Sequence, residues 1–69
     1  MDALESPMAG KVIEVKVKPG DAVADGDELI IIESMKMEIP IMADGDGTVS
    51  EVLVEPGKEV MAGDVMIKF

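Results

Sequence analysis

The sequence predicts an all-β fold, a flattened β-barrel or barrel–sandwich hybrid of about eight short strands in two halves related by a pseudo-two-fold axis. Three observations predict it. The chain of 69 residues repeats itself internally, β-branched residues alternate with charged residues ahead of Pro-Gly turns, and Gly or Pro interrupts every candidate helix. The chain is long enough for one domain and no more, so residues 1–69 are predicted to form a single domain. At this size a folded chain buries only about 60% of the surface that its unfolded form exposes.

The internal repeat relates residues 10–32 to residues 47–69 at a constant offset of 37 residues. The aligned segments are "GKVIEVKVKPGDAVADGDELIII" and "GTVSEVLVEPGKEVMAGDVMIKF", which are identical at 11 of 23 positions without a gap. Two copies are too few for a solenoid, so each copy is expected to fold as the same strand unit and the two units to close on one another.

Each copy is predicted to contain two strands separated by turns. The segments "VIEVKV" and "VSEVLV" have the alternation of half-buried strands, and each is followed by a Pro-Gly pair, at residues 19–20 and 56–57, that favours a type II or related turn. Gly26 and Gly63 are the natural residues for a positive φ ahead of the next strands, "ELIII" and "VMIKF".

A looser similarity precedes each copy. The segment "PMAG" at residues 7–10 matches "IMADGDG" at residues 41–47 if residues 44–46 are an insertion, which makes the offset 34 residues in this part of the chain. At that offset the position equivalent to Lys36 is about residue 2. The hairpin around Lys36 is therefore expected at one end of the domain and the two termini at the other, an arrangement that leaves few exposed edges.

The segment around Lys36 is predicted to be a β-hairpin whose turn falls at Met35-Lys36, with "ELIIIES" entering and "MEIPIMA" leaving. A two-residue primed turn gives both central residues a positive φ, which costs a non-Gly residue roughly 1 kcal/mol or more. Taken alone, the tripeptide is read as core methionines beside a solvated lysine. Because the strands already supply an aliphatic core, Met35 and Met37 are surplus to packing, and exposed apolar groups around one amine favour a surface that a modifying enzyme recognises.

The composition excludes several classes of function. Fifteen acidic residues against six lysines, with no Arg and no His, give a net charge of −9, which opposes binding to nucleic acid and to anionic membranes. Without His or Cys, and without a serine in a nucleophile motif, no catalytic residue is predicted. The longest aliphatic run, residues 29–32, is too short to span a bilayer, and we expect a cytoplasmic protein without membrane contact of its own.

Two acidic segments, "DGDE" at residues 25–28 and "DGDG" at residues 44–47, raise the alternative of a metal-binding module. Neither segment supplies the further ligands and the distal Glu of an EF-hand loop. Asp-Gly turns that also solubilise the domain are therefore favoured, and no metal site is predicted. A β-module that only docks other proteins is a further alternative, although its acidic faces have the pattern of solvated strands.

The segment "ESMKMEIPI", with the Gly-rich strand repeat on either side, resembles the attachment motif Glu-Ala-Met-Lys-Met of the biotinyl domain in biotin-dependent carboxylases and decarboxylases. Four of the five positions match, as Glu33, Met35, Lys36 and Met37, and Ser34 stands where alanine is commoner. The resemblance extends from "SPMAGKV" to "VMIKF", which is nearly the whole chain. It implies that a biotin protein ligase biotinylates Lys36 on its ε-amine and that Met35 and Met37 are recognition residues.

The same resemblance implies a carrier domain that performs no catalysis. Covalent biotin on Lys36 takes up carboxylate in a biotin carboxylase and delivers it in a carboxyltransferase or decarboxylase, and the tether holds both encounters at a high effective concentration. An isolated domain of this kind is expected to be monomeric. No protruding loop interrupts "VIEVKVKPGDAV", which favours the biotinyl domains that lack such a loop.

The nearest alternative is a lipoyl domain, which shares the fold and the hairpin lysine but usually has Asp-Lys-Ala at the tip. The Met-Lys-Met tripeptide of this chain favours biotin over lipoate. A protein that accepts both cofactors is a further alternative, because both ligases read the same hairpin.

Overall fold

The computed structural model describes residues 2–69, which form nine short β-strands and no helix. No segment in this range could therefore cross a membrane as a helix. The strands, in chain order, are β1 (Ala3–Glu5), β2 (Gly10–Val15), β3 (Ala22–Val23), β4 (Glu28–Ser34), β5 (Met37–Met42), β6 (Gly47–Thr48), β7 (Glu51–Val52), β8 (Glu59–Val60) and β9 (Val65–Lys68). The predicted all-β class is confirmed.

The strands are arranged in three antiparallel sheets with the orders β5-β4-β2-β8, β1-β9-β7 and β3-β6. At the offset of 37 residues, each strand of the four-stranded sheet has a counterpart: β1 for β5, β9 for β4, β6 and β7 for β2, and β3 for β8. The two halves are therefore copies of one another, as predicted. The barrel is not closed and the architecture is sandwich-like. There is one strand more than expected because the counterpart of β2 is split into β6, which pairs with β3, and β7, which pairs with β9.

The Pro-Gly turns join the two halves. The N–H of Gly20 donates to the carbonyl of Val49 and the N–H of Gly57 donates to the carbonyl of Val12, both at 2.8 Å. Both glycines have a positive φ, as turns of this kind require. Each turn of one copy is thus bonded to a buried valine of the other copy, and neither half completes its backbone hydrogen bonds alone.

The expected insertion at residues 44–46 is wrong. Gly26 donates to the carbonyl of Ala43 at 2.9 Å, and Gly63 donates to the carbonyl of Ser6 at 2.8 Å, so Ala43 corresponds to Ser6 and the offset of 37 residues holds here too. The similarity of "PMAG" to "IMADGDG" misled the alignment, because the shared Met-Ala pairs occupy different structural positions. The two ends of the chain still lie side by side, since Phe69 donates its N–H to the carbonyl of Asp2 at 3.0 Å.

An aliphatic core lies between the sheets, with Phe69 packed against its edge. Strand β4 contributes most to it: Leu29, Ile30 and Ile32 are completely buried. The buried hydroxyl of Ser6 donates to the carbonyl of Met8 at 2.6 Å, so this polar group is satisfied. The other buried apolar residues are Leu4, Val12, Val23, Ile41, Ala43, Val49, Val54, Val60, Met66 and Ile67.

An exposed ion pair links the end of β2 to the start of β4, where Lys16 Nζ lies 3.0 Å from Glu28 Oε1. The hydrogen bond to Glu28, and then the charge of Glu28, raise the pKa of Lys16 above its ordinary value. Because the pKa is raised in the folded protein, the pair stabilises the fold fully at pH values below the ordinary lysine pKa. This stabilisation is lost as the pH rises through the raised pKa of Lys16. The contribution is small because both side chains are solvated.

Gly10 lies where β2 passes closest to β4, and a Cβ atom at this position would stand 2.8 Å from the carbonyl oxygen of Glu33. We expect Gly10→Ala to lower the free energy of unfolding by about 1–3 kcal/mol, since a backbone atom must move to admit the methyl group. Urea denaturation measures this loss.

The pseudo-symmetric Gly47 provides the matched control. A Cβ atom there would be no closer than 3.4 Å to the Phe69 ring, a contact that the side chain can accommodate. Gly47→Ala is expected to cost clearly less than Gly10→Ala, and equal losses in the two variants would show that the close approach to β4 is unimportant.

Candidate functional site

The candidate site is the end of the β4–β5 hairpin. Its antiparallel register runs from Glu28 opposite Met42 to Ser34 opposite Met37, which leaves Met35 and Lys36 as a two-residue loop. Strand β4 is also paired with β2 on its other edge. Strand β4 is thereby paired along both edges as far as Glu33, whereas β5 is an edge strand, and the loop beyond them is exposed to solvent.

The backbone of the loop is in the left-handed region, with φ of 54° at Met35 and 66° at Lys36. These are the only non-Gly residues with a positive φ between residues 2 and 69. The prediction of a primed two-residue turn at this dipeptide is confirmed. Asn-Gly would adopt this turn with less strain, so the residues found here have been selected for something other than turn stability.

The side chains of the loop are turned outward. Met35 is 91% exposed and Met37 is 61% exposed, whereas the core Met66 is completely buried. Lys36 is exposed, and it takes part in no ion pair within residues 2–69. The prediction that the two tip methionines are surplus to packing is confirmed, and they flank an amine that is accessible to another molecule.

Exposure alone does not distinguish Lys36, because all six lysines are exposed. Lys16 is held by Glu28, and Lys58 lies in a Pro-Gly turn without a positive φ. What separates Lys36 is its place at the apex of a two-residue loop between two exposed methionines. An enzyme that modifies one lysine has a local shape and an apolar surface to read at this residue.

Two carboxylates accompany the tip. Glu33 and Glu38 are directly opposite each other across the hairpin, one pair below Ser34 and Met37, and both are exposed. Like charges in this position are mildly destabilising, so they too do not serve the stability of the hairpin. The two glutamates are placed symmetrically about the two-residue loop in the sequence, so their pairing follows from the turn at Met35-Lys36.

A shallow groove runs beside the tip between the end of β4 and β8. Its lining includes Ser34 and Met35 of the hairpin together with Gly10, Val60 and Met61. Met61 is 66% exposed, so a third methionine faces solvent near the tip. No signal in the sequence placed Met61 here, because its proximity comes from the pairing of β2 with β8.

The two acidic segments proposed as an alternative metal site form turns. Asp27 accepts the N–H of Ala24 through its carboxylate, and Asp46 accepts the N–H of Asp25, both at 2.9 Å. Between residues 2 and 69 there is no group of three or more side chains placed to hold a metal ion. Asp27 therefore has the turn-forming role that the sequence favoured, whereas Asp46 links its segment to the other acidic segment.

Comparison with known proteins agrees with this site. A family model described as "Biotin-requiring enzyme", of the biotin and lipoyl attachment type, matches residues 2–69. The chain belongs to this biotin/lipoyl attachment family, as the Met-Lys-Met hairpin and the strand repeat predicted.

Two relatives show how the family uses such a domain. The chain is 51% identical over 61 residues to the biotin/lipoyl attachment protein of Bacillus subtilis (strain 168), covering 88% of this chain and 84% of that protein. It is 48% identical over 65 residues to the mitochondrial propionyl-CoA carboxylase alpha chain of Homo sapiens, covering 94% of this chain but only 9% of that one. The same unit thus makes up most of one relative and a small part of another.

Solved structures share the fold. A single-chain, multi-domain long-chain acyl-CoA carboxylase contains a region that superposes with a TM-score of 0.90 at 36% identity, covering 96% of this chain and 7% of that one. The lipoyl domain of the 2-oxoglutarate dehydrogenase complex from Azotobacter vinelandii superposes with a TM-score of 0.80 at 26% identity, covering 99% and 94% of the two chains. The fold therefore occurs both within a carboxylase and as a lipoyl domain.

The strain in the loop gives a stability prediction. Lys36→Gly relieves roughly 1–2 kcal/mol of left-handed strain and costs roughly 0.5–1 kcal/mol through the greater freedom of glycine in the unfolded chain. We expect a net rise in the free energy of unfolding of about 0.5–1 kcal/mol, measured by urea denaturation.

Lys58→Gly is the matched control, because Lys58 is another exposed turn lysine but has no positive φ. This variant is expected to lose stability. A loss of the same size in Lys36→Gly would contradict the conclusion that the tip is strained.

Proposed function

We propose that this chain is a biotin carboxyl carrier domain in which biotin is joined through an amide bond to Nζ of Lys36. The observation that carries the assignment is the loop itself: an exposed lysine, free of ion pairs within the described range, at the apex of a strained turn between two exposed methionines. The family membership and the biotin-carrying relatives support the cofactor.

The residues at the tip fit this attachment. An amine can form an amide only after it loses a proton, and no carboxylate in the described range holds Lys36 in an ion pair that would have to be broken first. Lys36 is exposed at the apex of the two-residue loop, so its side chain is open to solvent. Once acylated, the lysine loses its positive charge and its long side chain becomes part of a flexible arm.

The protein supplies a fixed base for that arm. When bound, biotin supplies the chemistry that carries carboxylate, and the chain positions it. The buried residues of β4 and its pairing with two neighbouring strands hold the loop in one place relative to the domain. A tethered cofactor then meets its reaction partners at an effective concentration set by the reach of the arm.

Domains or subunits of a biotin-dependent carboxylase are the partners that the similar proteins indicate. We propose that a biotin carboxylase loads the arm with carboxylate and that a carboxyltransferase or decarboxylase unloads it, while the domain itself acts as a monomer in the cytoplasm. A biotin protein ligase attaches the cofactor. Their contact surfaces are expected to be apolar or basic, to match the exposed methionines and the net charge of −9.

Lipoate is the second candidate cofactor. The observation in its favour is the superposition on a lipoyl domain with a TM-score of 0.80 over nearly the whole of both chains. The Met-Lys-Met tripeptide argues for biotin, since lipoyl domains usually have Asp-Lys-Ala at this place. Parallel reactions with the two cofactors separate the possibilities.

The attachment site is tested by incubating the chain with ATP, biotin and a biotin protein ligase, with a parallel lipoate and lipoate-ligase reaction, followed by intact mass and fragmentation. We expect a single biotin adduct on Lys36 and none on the Lys36→Arg variant, because the guanidinium is not an acyl acceptor here. Lys58→Arg is the control and should be modified like the parent. An adduct on Lys36→Arg would refute the assignment, and a lipoyl adduct alone would transfer it to the lipoyl branch.

The role of the methionines is tested by single substitutions to serine. Met35→Ser and Met37→Ser are each expected to lower the ligase's kcat/KM by about three- to tenfold, because each removes apolar contact area worth roughly 1 kcal/mol. Met42→Ser alters a methionine that is also half-exposed but lies at the far end of β5. Equal rates for all three variants would show that the tip methionines are not recognised.

A further inference from the structure

Two exposed sulfur atoms lie on either side of the tip lysine. It has seven methionines and no cysteine, so every sulfur atom is a thioether. Met35, at 91%, is the most exposed of the large hydrophobic residues described, and Met37 at 61% adjoins the same lysine. Met66, by contrast, is completely buried in the core. Oxidants in solution therefore reach the sulfur beside Lys36 without reaching the sulfur inside the fold.

We propose that Met35 and Met37 are a second modification site, at which a peroxide or hypohalous acid forms methionine sulfoxide, and that this oxidation controls whether Lys36 accepts its cofactor. With hydrogen peroxide, the sulfur bonds to one peroxide oxygen, the O–O bond breaks and water leaves. The sulfur is oxidised by two electrons and the peroxide is reduced by two. The inference rests on the proposed function of Lys36.

Oxidation changes the surface that a ligase must contact. A thioether is apolar and flexible, whereas a sulfoxide carries a polar S=O group that needs a hydrogen-bond partner when it is buried. A ligase that closes over the tip would bury this oxygen against a surface suited to apolar side chains. Leaving a polar group unpaired in such a contact typically weakens it by about tenfold or more.

The fold confines the effect to the tip. Met35 and Met37 are exposed and do not belong to the aliphatic core, so adding an oxygen to them leaves that core intact. Because methionine sulfoxide is reducible enzymatically, the block is reversible. The oxidation acts before attachment, since an amide bond already formed at Lys36 does not depend on the ligase.

The test begins with limited oxidation of the whole chain by hydrogen peroxide, with sulfoxides located by peptide mass spectrometry and the fold checked by amide NMR. We expect oxidation at Met35 and Met37 well before Met66. The initial rate of ligase-catalysed biotinylation should then fall about tenfold relative to untreated protein, and methionine sulfoxide reductases should restore it. Oxidation of Met66 at the same rate as Met35 would overturn the selectivity.

Two double variants assign the effect. Met42→Leu/Met61→Leu removes the other strongly exposed methionines of residues 2–69 and should keep the peroxide sensitivity and its reversal. Met35→Leu/Met37→Leu should lose the sensitivity. If Met35→Leu/Met37→Leu is not biotinylated, the test rests on Met42→Leu/Met61→Leu alone. Recovery of its biotinylation rate after treatment with methionine sulfoxide reductases supports the proposal, and no loss of rate on oxidation contradicts it.

The outcomes separate the two proposals. Absence of an adduct on untreated protein contradicts the proposed function. An adduct that forms equally fast on untreated protein and on protein oxidised at Met35 and Met37 supports the proposed function and overturns this inference.

Discussion

The structure depends on a reciprocal exchange of backbone hydrogen bonds between its two halves. The Pro-Gly turn of the first copy donates to Val49 in the second copy, and the turn of the second copy donates to Val12 in the first. Both valines are almost completely buried, so an unpaired carbonyl at either position would cost of the order of 1–3 kcal/mol. This constraint explains why a chain with a thin, nearly aromatic-free core still has a defined shape: its halves complete one another, and the same geometry fixes β4 and the hairpin that it carries.

The hairpin divides stability from function along its own length. At its base, Leu29, Ile30 and Ile32 are buried, and β4 is paired with β2 along one edge and with β5 along the other. At its end, two non-Gly residues have a positive φ and two glutamates face each other. Each feature at the tip costs stability, and the domain tolerates them because the base is overdetermined. The residues that make the tip an unfavourable turn are the ones that we propose a modifying enzyme recognises.

The fold could be predicted because the two copies of the repeat align with one another without a gap. Identical glycines and valines at an offset of 37 residues imply equal turns and equal buried positions, and the hydrogen bonds reproduce this equivalence. The turn at Met35-Lys36 was predictable from the symmetry of the flanking strands. The split of one strand into β6 and β7 was not, because it reflects a change of pairing partner and not a change of residue type.

Sequence similarity failed where it was short. The Met-Ala pairs before each copy suggested an insertion. Burial and hydrogen bonding instead show that Ala43 is the equivalent of Ser6 in the repeat. The position of Met61 near the tip could not be predicted either, because Met61 is distant from the tip in sequence and is brought there by the pairing of β2 with β8. Local patterns thus predicted that Lys36 lies at the hairpin tip, whereas the residues that surround the tip in space required the tertiary structure.

The anchoring of β4 has a thermodynamic consequence for a carrier. Ordering the backbone of one residue costs roughly 1–2 kcal/mol of conformational entropy, and a mobile loop would incur that cost for several residues in every encounter with a partner. Here the two loop residues have defined left-handed backbone angles, at the apex of a hairpin whose base is buried. The conformational search is left to the rotatable bonds of one side chain, so repeated docking at different sites requires no refolding of the surface that presents it.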